Sequence, residues 1–492
     1  MSPKSLKQLT VMQQKLQADA YMTVYLSLVL TVILSLILAL FQGARIGAVK
    51  MKSELAVDIA MNSVLGEYNR ELFDKYGLLF IDTAYGTNTG SVIKTREHLE
   101  EYFSKNFETT TIGKVTGSTT LMPARLNEVG ITGYSFASDG KGSVLRRQIL
   151  KYMEADPVEA ALGSIQDNVE ELKKSGFDES NVEKDASNNE NEISKPHLAD
   201  TDGDGENETY YADNPAGQVT AQKSIGILPL AAPDLDSISS AAVDLSGCAS
   251  KRQLNIGTGL DESEDTGIGP TLLFEKYLHE KCGSYGNEND DSKLKYELEY
   301  IYAGKDNDYA NLEKVVEKLF LWKEAANFAY IMTDEAKMAE AQALALTASV
   351  LLTLPELEEV IKMSIIFAWT FAETISDLRI LLSGGKVPII KTVDSWNLSI
   401  ENMLEFRDHL KNGGGTGLSY EDYLNMLVFM ENKDKKTKRL MDIIEMNIRK
   451  TEGNQGFRID NCIDILNVQF DITGAYSKRI EIERTYGYEM FE

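Results

Sequence analysis

Cysteine and histidine are scarce in this sequence. Its 492 residues hold three cysteines and four histidines. Cys248, Cys282 and Cys462 form no CxxC pair, and His98, His197, His279 and His409 fall in no HExxH spacing, so the sequence offers no zinc site of either kind. Cys248 and Cys282 are available to bridge in an oxidising compartment; otherwise three unpaired, mostly buried thiols are expected. Positive charge is also short. Lys+Arg number 50 against 76 Asp+Glu, a formal net charge of −26. Such an excess repels phosphate backbones and no basic stripe offsets it, so no nucleic acid is expected as a partner. Proline is absent between Pro3 and Pro123, which leaves a long stretch free to be helical. Catalytic signatures are missing too. No GxSxG or GxGxxG opens a helix after a strand, and Gly384-Gly385-Lys386 runs into Val387 without the upstream glycine of a phosphate loop. No enzyme is expected on these grounds.

One feature is present in strength. Tyr21 to Phe41 reads YMTVYLSLVLTVILSLILALF, 21 residues without a charge. At about 1.5 Å per residue a helix of that length covers about 30 Å, the hydrocarbon thickness of a bilayer. A buried helix of a soluble domain would show a polar face, and a cleaved signal peptide would have a shorter apolar region ending in a small-x-small site. The sequence therefore predicts a retained transmembrane helix over residues 21–42, with the lipid bilayer as its partner. Lys4, Lys7 and Lys15 before it balance Arg45, Lys50 and Lys52 after it. Length decides the orientation instead: a short tail, residues 1–20, stays in the cytoplasm, and the long remainder is placed outside.

Residues 43–75 follow as an amphipathic stalk helix. Ile46, Val49, Ala56, Ala60 and Val64 recur on one side, with Lys52, Glu54, Asp58 and Glu67 largely off it. Gly43 and Gly47 form a GxxxG spacing.

The stretch from Met22 to Gly86, together with VDLSG (Val243–Gly247), GLSYEDYLNMLVF (Gly417–Phe429) and FRIDNCIDI (Phe457–Ile465), resembles an uncharacterised Gram-positive family of large membrane-anchored proteins associated with tight-adherence (Tad-type) pilus systems. The N-terminus is distantly similar to the tight-adherence minor pseudopilins. In pilins a glutamate stands near the start of the apolar helix; here Val24-Tyr25-Leu26 occupies that place. The resemblance implies a pilus-associated setting, with other membrane or pilus-assembly proteins as partners, and supplies no mechanism.

Beyond the stalk the pattern predicts an α+β protein. Tyr76–Asp82 reads as a first strand, Thr95–Phe107 as a helix, and Arg125–Phe136 as a bent strand or strand pair. Gly142–Met153 and Pro157–Lys174 are expected as amphipathic helices. Together these make residues 76–174 the first part of an α+β domain. Residues 175–215 are acidic and poor in core residues, and are expected to be an exposed mobile insertion. Residues 216–269 form a loop-rich connector. Residues 270–456 are expected to be a large inserted α-helical domain, with helices over Leu312–Leu354, Glu356–Leu382, Asp394–Lys411 and Ser419–Lys450. Ala343–Leu354 is too short to span a bilayer, and Glu373, Asp377 and Arg379 interrupt the apolar run that follows. Trp322, Trp369 and Phe371 read as packing residues. In residues 457–492, Leu466, Val468, Phe470 and Ile472 alternate, as do Ile480, Ile482, Arg484, Tyr486 and Tyr488, which predicts a hairpin around Gly474–Lys478. A lone hairpin is marginal, so it is expected to complete a small antiparallel sheet with strands of residues 76–136.

One motif carries a chemical mechanism. Asp200-Thr201-Asp202-Gly203-Asp204-Gly205 fits the start of a calcium loop: side-chain oxygens of Asp200, Asp202 and Asp204, the backbone carbonyl of Glu206, and Glu208 at position nine. Position twelve, normally a bidentate acid, is Tyr211, and Asp213 falls one place late. A solvated acidic segment is the other reading.

The function expected from the whole is a single-pass, membrane-anchored extracytoplasmic structural protein, pilus-associated or of the cell surface. The alternatives are an anchored binding or sensor module for a protein partner and a surface hydrolase with scattered catalytic residues.

Overall fold

Residues Pro3–Leu65 form one helix, α1, of 63 residues, about 95 Å long at about 1.5 Å per residue. The computed structural model of the chain describes residues 3–107, 124–154, 162–174, 179–199, 208–258, 260, 268–352, 355–474 and 477–488. Among them, the helical stretch Asp19–Leu65 is the one helix long and apolar enough to cross a membrane. Tyr21 to Phe41 are exposed around the whole circumference, as lipid-facing residues would be. Thr23, Ser27, Thr31 and Ser35 return their hydroxyls to carbonyls three or four residues back, which satisfies them within the helix.

The same helix then enters a core. Val49, Ala56, Ala60 and Val64, the expected stripe, are buried, joined by Val57, Met61 and Leu65, and Ile46 is half-buried. The helix ends at Leu65, ten residues earlier than the stalk was expected to run. At Gly66–Asn69 the chain turns, and the Asn69 side chain caps α2 (Arg70–Tyr76) by accepting from the Leu72 amide at 3.0 Å.

The apolar run Tyr76–Asp82 forms a strand only at Ile81–Asp82, β1. The reason lies in a side chain: the Gln148 amide occupies both the N–H and the C=O of Leu79, while the Phe80 carbonyl accepts from Asn69. Helix α3 (Val92–Phe107) and strand β2 (Arg125–Phe136) follow. β2 is one strand, bent by three register shifts along its ladder. The next helix, α4 (Asp139–Glu154), begins with a left-handed turn at Gly140, Lys141 and Gly142 (φ 57°, 55° and 86°). α5 covers Leu162–Lys174; the expected start at Pro157 lies outside the described residues.

Residues 175–215, expected as an exposed mobile insertion, include regular elements among the described residues. They contain a helix, α6 (Glu179–Ile193), and a short hairpin, β3 (His197–Ala199) with β4 (Glu208–Tyr210). Few apolar residues suffice because they are well placed: Val182 packs with Ala325 and Phe367, and Ile193 and Ala212 join the main core.

Residues 216–269, expected as a loop-rich connector, hold short helical turns at Gly217–Thr220, Ala221–Ile225, Ile227–Ala231 and Ala249–Lys251. Helices α7 (Ile268–Lys281), α8 (Glu297–Ala303), α9 (Asp308–Thr333), α10 (Glu335–Leu351), α11 (Glu358–Leu382), α12 (Tyr420–Met430) and α13 (Lys433–Ile448) then succeed one another. The long helix expected over Leu312–Leu354 is two, broken at Asp334, whose carboxylate caps α10 by accepting from the Ala336 and Lys337 amides. α11 is buried along most of its length and packs between α9 and α10. Trp369 and Phe371 pack in the core as expected, and Trp322 is buried with them. Asp394–Lys411 is not a helix. It holds two short 3₁₀ turns, because the Asn397 and Leu398 amides donate to the Glu373 carboxylate instead of to a helical ladder. α12 opens with the expected capping box between Ser419 and Asp422.

Strands β5 (Cys462–Thr473) and β6 (Arg479–Gly487) form the expected hairpin. β5 pairs antiparallel with β1, β2 and β6, so one four-stranded sheet draws on both ends of the chain. Leu466, Val468, Phe470 and Ile472 of β5, with Ile480 and Ile482 of β6, face the buried stripe of α1 and residues Leu99 and Phe103 of α3. The alternate residue Gln469 is exposed. A second, larger hydrophobic cluster runs from Leu72 through the helices to Cys462. The fold is thus α+β, with one long apolar N-terminal helix and small antiparallel sheets. Cys248, Cys282 and Cys462 are free and buried.

Candidate functional site

Among the described residues, polar side chains gather at several places, of which three bear on function: the junction of α1 with the sheet, the acidic hairpin, and charge clusters sealed in the helical core.

At the junction, α1 is held by side chains as well as by packing. Asp58 accepts from Arg484 Nε at 3.2 Å and from the Tyr486 hydroxyl at 3.1 Å. Glu67, just past the helix end, takes the Tyr102 hydroxyl at 2.7 Å and faces His98 Nδ1 at 2.9 Å. Lys52 donates to the Phe107 carbonyl at 3.2 Å, closing α3 onto α1. Residues from three separate parts of the sequence therefore fix where the apolar span leaves the sheet-bearing unit.

Of the residues expected to hold calcium, Asp200, Asp202, Asp204 and Glu206 lie outside the described residues. Glu208 opens β4, opposite Ala199 of β3. The motif thus connects two antiparallel strands, where a helix–loop–helix calcium site would have flanking helices. Asp213 and Tyr211 are exposed beyond β4. Among the described residues, no group of three His, Cys, Asp or Glu side chains is placed to share a metal.

The third place was not anticipated from the sequence. Glu373 and Asp377, one turn apart on α11, both face Lys391, whose ammonium lies 2.6 Å from Glu373 Oε1 and 2.5 Å from Asp377 Oδ1 and donates to the Ser395 carbonyl at 2.7 Å. On α9, Lys323 donates to the Pro388 carbonyl at 2.7 Å and lies 3.4 Å from Asp377 Oδ2; Asn327 donates to the same oxygen at 3.1 Å. All are buried. Burial pulls the Lys323 pKa down to about 8, against the pull of Asp377 and with the repulsion of Lys391 adding to the fall. Burial likewise pushes the Glu373 carboxyl up, opposed by Lys391. Burial would also lower Lys391, but Asp377 and Glu373 outweigh it and hold its pKa above the ordinary lysine value. The cluster pins the irregular segment 388–398 to α9 and α11. Its signal was legible in hindsight: Glu373 and Asp377 sit four apart inside SIIFAWTFAETISDLRILL, and carboxylates so placed in an apolar run require a buried cation.

A similar cluster ties the connector to the C-terminus. Arg252 forks onto Glu445 (2.8 and 2.5 Å) and Asp460 (2.5 Å), and those acids also accept the Ile459 and Asn255 amides. Open space lies elsewhere. One groove of about 280 Å³ is lined by Glu183, Asn189, Asn214, Lys223, Ser364 and Phe367. Another of about 360 Å³ is lined by Lys251, Tyr300, Asp434, Lys435, Lys438 and Arg439. The two buried clusters line neither of these grooves; both close loops onto helices.

A family model described as "Family of unknown function (DUF5702)" matches residues 205–474, more than half of the chain. The chain belongs to this family. The matched stretch begins inside the acidic hairpin, contains both buried clusters, and ends with β5; α1 and β6 lie outside it. No curated protein and no solved structure matches the chain.

Proposed function

We propose that the chain is a single-pass, membrane-anchored structural protein whose large domain faces outward and serves as a pilus-associated or cell-surface assembly component. The observation that carries this reading is the continuity of α1. Its middle stretch, Tyr21 to Phe41, is exposed and apolar, and its last third is core to the sheet, so the anchor cannot swivel independently of the domain it holds. A flexible linker would suit a tethered enzyme or a reaching sensor. A rigid, core-integrated anchor suits a part with a fixed height and direction above a bilayer. The resemblance of Met22–Gly86 to membrane-anchored proteins of tight-adherence systems supports the pilus setting. We further read residues 270–456 as a helical domain inserted into the sheet-bearing unit, a reading supported by a sheet built from both chain ends. The Lys391 cluster holds the 388–398 segment onto two helices, a role in keeping with a structural part.

A second reading, a binding module for a protein partner, has the groove beside Lys251 and Lys438 as its support. Affinity purification of the full chain from membranes, followed by mass spectrometry, tests the two. Recovery of tight-adherence assembly proteins is expected; consistent recovery of an unrelated receptor or wall enzyme instead would favour the second reading.

A further inference from the structure

The hairpin of β5 and β6 climbs alongside α1. An added Cβ at Gly474 would lie 3.2 Å from Val49 Cγ1, Arg484 reaches Asp58, and Tyr488 reaches Leu65. Rising positions on α1 thus meet rising positions on β6, and the turn end of the hairpin points back towards the apolar span. Val49 stands eight residues past Phe41, about 12 Å along the helix at about 1.5 Å per residue. The polar layer of a bilayer extends about 5–8 Å beyond its hydrocarbon. The turn end therefore sits within a Debye length, about 8 Å at physiological salt, of the headgroups.

Charge is sorted at this end. The chain carries −26 overall, yet α1 has Arg45 and Lys50 and no acid between Phe41 and Ser53. Lys478 shares the level of Gly474, whose amide donates to the Lys478 carbonyl at 2.8 Å. Arg125, the first residue of β2, pairs across the ladder with Thr473, next to Gly474. Arg125 and Lys478 are exposed, and neither has an acidic partner among the described residues. The nearest acids along these elements stand farther from the span: Glu54 on α1, Glu128 on β2, Asp471 on β5 and Glu481 on β6. Arg479 takes up Asp471 at 2.9 Å and Glu481 at 3.3 Å. Glu54 lies 3.8 Å from Lys50, but that pair is exposed and holds the lysine weakly.

We propose that this end of the domain rests on anionic phospholipid headgroups of the bilayer that α1 crosses, with Arg45, Lys50, Arg125 and Lys478 as the contacts. The inference rests on the membrane-anchored reading above and adds to it a surface outside the span. The occupant follows from the chain itself, because a continuous helix leaves no linker to lift this end away from the bilayer. Basic residues beside a span are drawn to an anionic surface, and long Lys and Arg side chains reach it while their backbone stays above. Arg125 and Lys478 both lie on the hairpin side of α1, so the attraction leans α1 towards the hairpin. A tilt of about 20° is ordinary for a span. Since the last third of α1 is part of the core, the lean sets the direction of the whole domain. Repulsion of the acids beyond this end keeps the rest of the domain from lying flat.

The test uses the full chain in vesicles of phosphatidylcholine, alone or mixed equally with phosphatidylglycerol. The three native cysteines are buried, so Ser477→Cys, exposed beside Lys478, takes a maleimide dye. Resistance to extraction by alkaline carbonate reports the span independently. Quenching of the dye by a headgroup-attached quencher is expected to be stronger in the mixed vesicles. That difference is expected to vanish in high salt and in the double variant Arg125→Gln with Lys478→Gln. A chain that resists extraction but is quenched equally in both lipids overturns the proposal and leaves the span standing. A difference that the double variant leaves unchanged also overturns it. A chain that carbonate extracts overturns the span and this contact with it.

Discussion

The Tyr488 hydroxyl donates to the Leu65 carbonyl at 2.6 Å, so a residue near the C-terminus closes the last turn of the helix that begins at Pro3. Leu65 is a helix-terminal residue whose carbonyl has no partner within α1. The bond therefore seals the end of the anchor with the residue that follows β6.

If the two chain ends depend on each other in this way, deleting Leu466–Glu492 exposes the buried stripe of α1. Limited proteolysis of the full chain in micelles is expected to open new cleavage between Val49 and Phe136. Leu466→Ala, which leaves a cavity against that stripe, is expected to cost about 2–5 kcal/mol in denaturant unfolding. An unchanged digestion pattern after the deletion would separate the hairpin from the anchor.

Gly142 stands at φ 86°, and an added Cβ would lie 2.5 Å from Thr437 Cγ2 and 2.6 Å from Met441 Cε. Both the left-handed backbone and the close approach of α4 to α13 require glycine there. Gly142→Ala is expected to destabilise by about 1–3 kcal/mol. Lys141 shares the left-handed turn at φ 55°, so Lys141→Gly is expected to be neutral or stabilising, despite loss of the 3.1 Å ion pair with Asp434, because that pair is exposed. Urea midpoints of the two variants, moving in opposite directions, are the check.

Lys323 titrates near pH 8 in the folded chain and near its ordinary 10.5 when unfolded. Between those values the unfolded chain holds the extra proton, so this residue makes stability rise with pH across that window; below pH 8 both states are protonated and the contribution is flat. The stability difference between the native chain and Lys323→Met is therefore expected to grow in favour of the native chain from pH 8 upward. A difference independent of pH across the window would mean that Asp377 holds the ammonium charged.

Calcium is expected to bind the segment that joins β3 to β4 through Asp200, Asp202 and Asp204. Without an acid at position twelve the affinity is expected to be weak, about 10⁻⁴–10⁻³ M. Calorimetry on the solubilised chain is expected to show a calcium-dependent heat that Asp200→Asn with Asp204→Asn removes. No heat at millimolar calcium would leave the segment as an acidic turn.

Much of this fold could be read from period and punctuation. The apolar span, the stripe at Val49, Ala56, Ala60 and Val64, the Ser419–Asp422 box and the C-terminal hairpin all express local patterns that tertiary packing preserves. The misreadings share another cause. At Leu79 the Gln148 amide replaced a strand partner, and at Asn397 and Leu398 the Glu373 carboxylate replaced a helical ladder. In both places a distant side chain satisfied the backbone, and no local pattern records that. In residues 175–215 composition alone did not reveal the helix, which needs only a few anchors; Val182 and Ile193 supply them. The buried Lys391 cluster was half visible, since its carboxylates lie in an apolar run but its cations come from other elements.

The account rests most on α1 crossing a bilayer with the domain outside. Protease added to intact protoplasts tests this directly, with blotting for tags at both ends. The account predicts loss of everything beyond about residue 43 and survival of a short N-terminal fragment until the membrane is lysed. Protection of the whole domain in intact protoplasts, with digestion only after lysis, would contradict it.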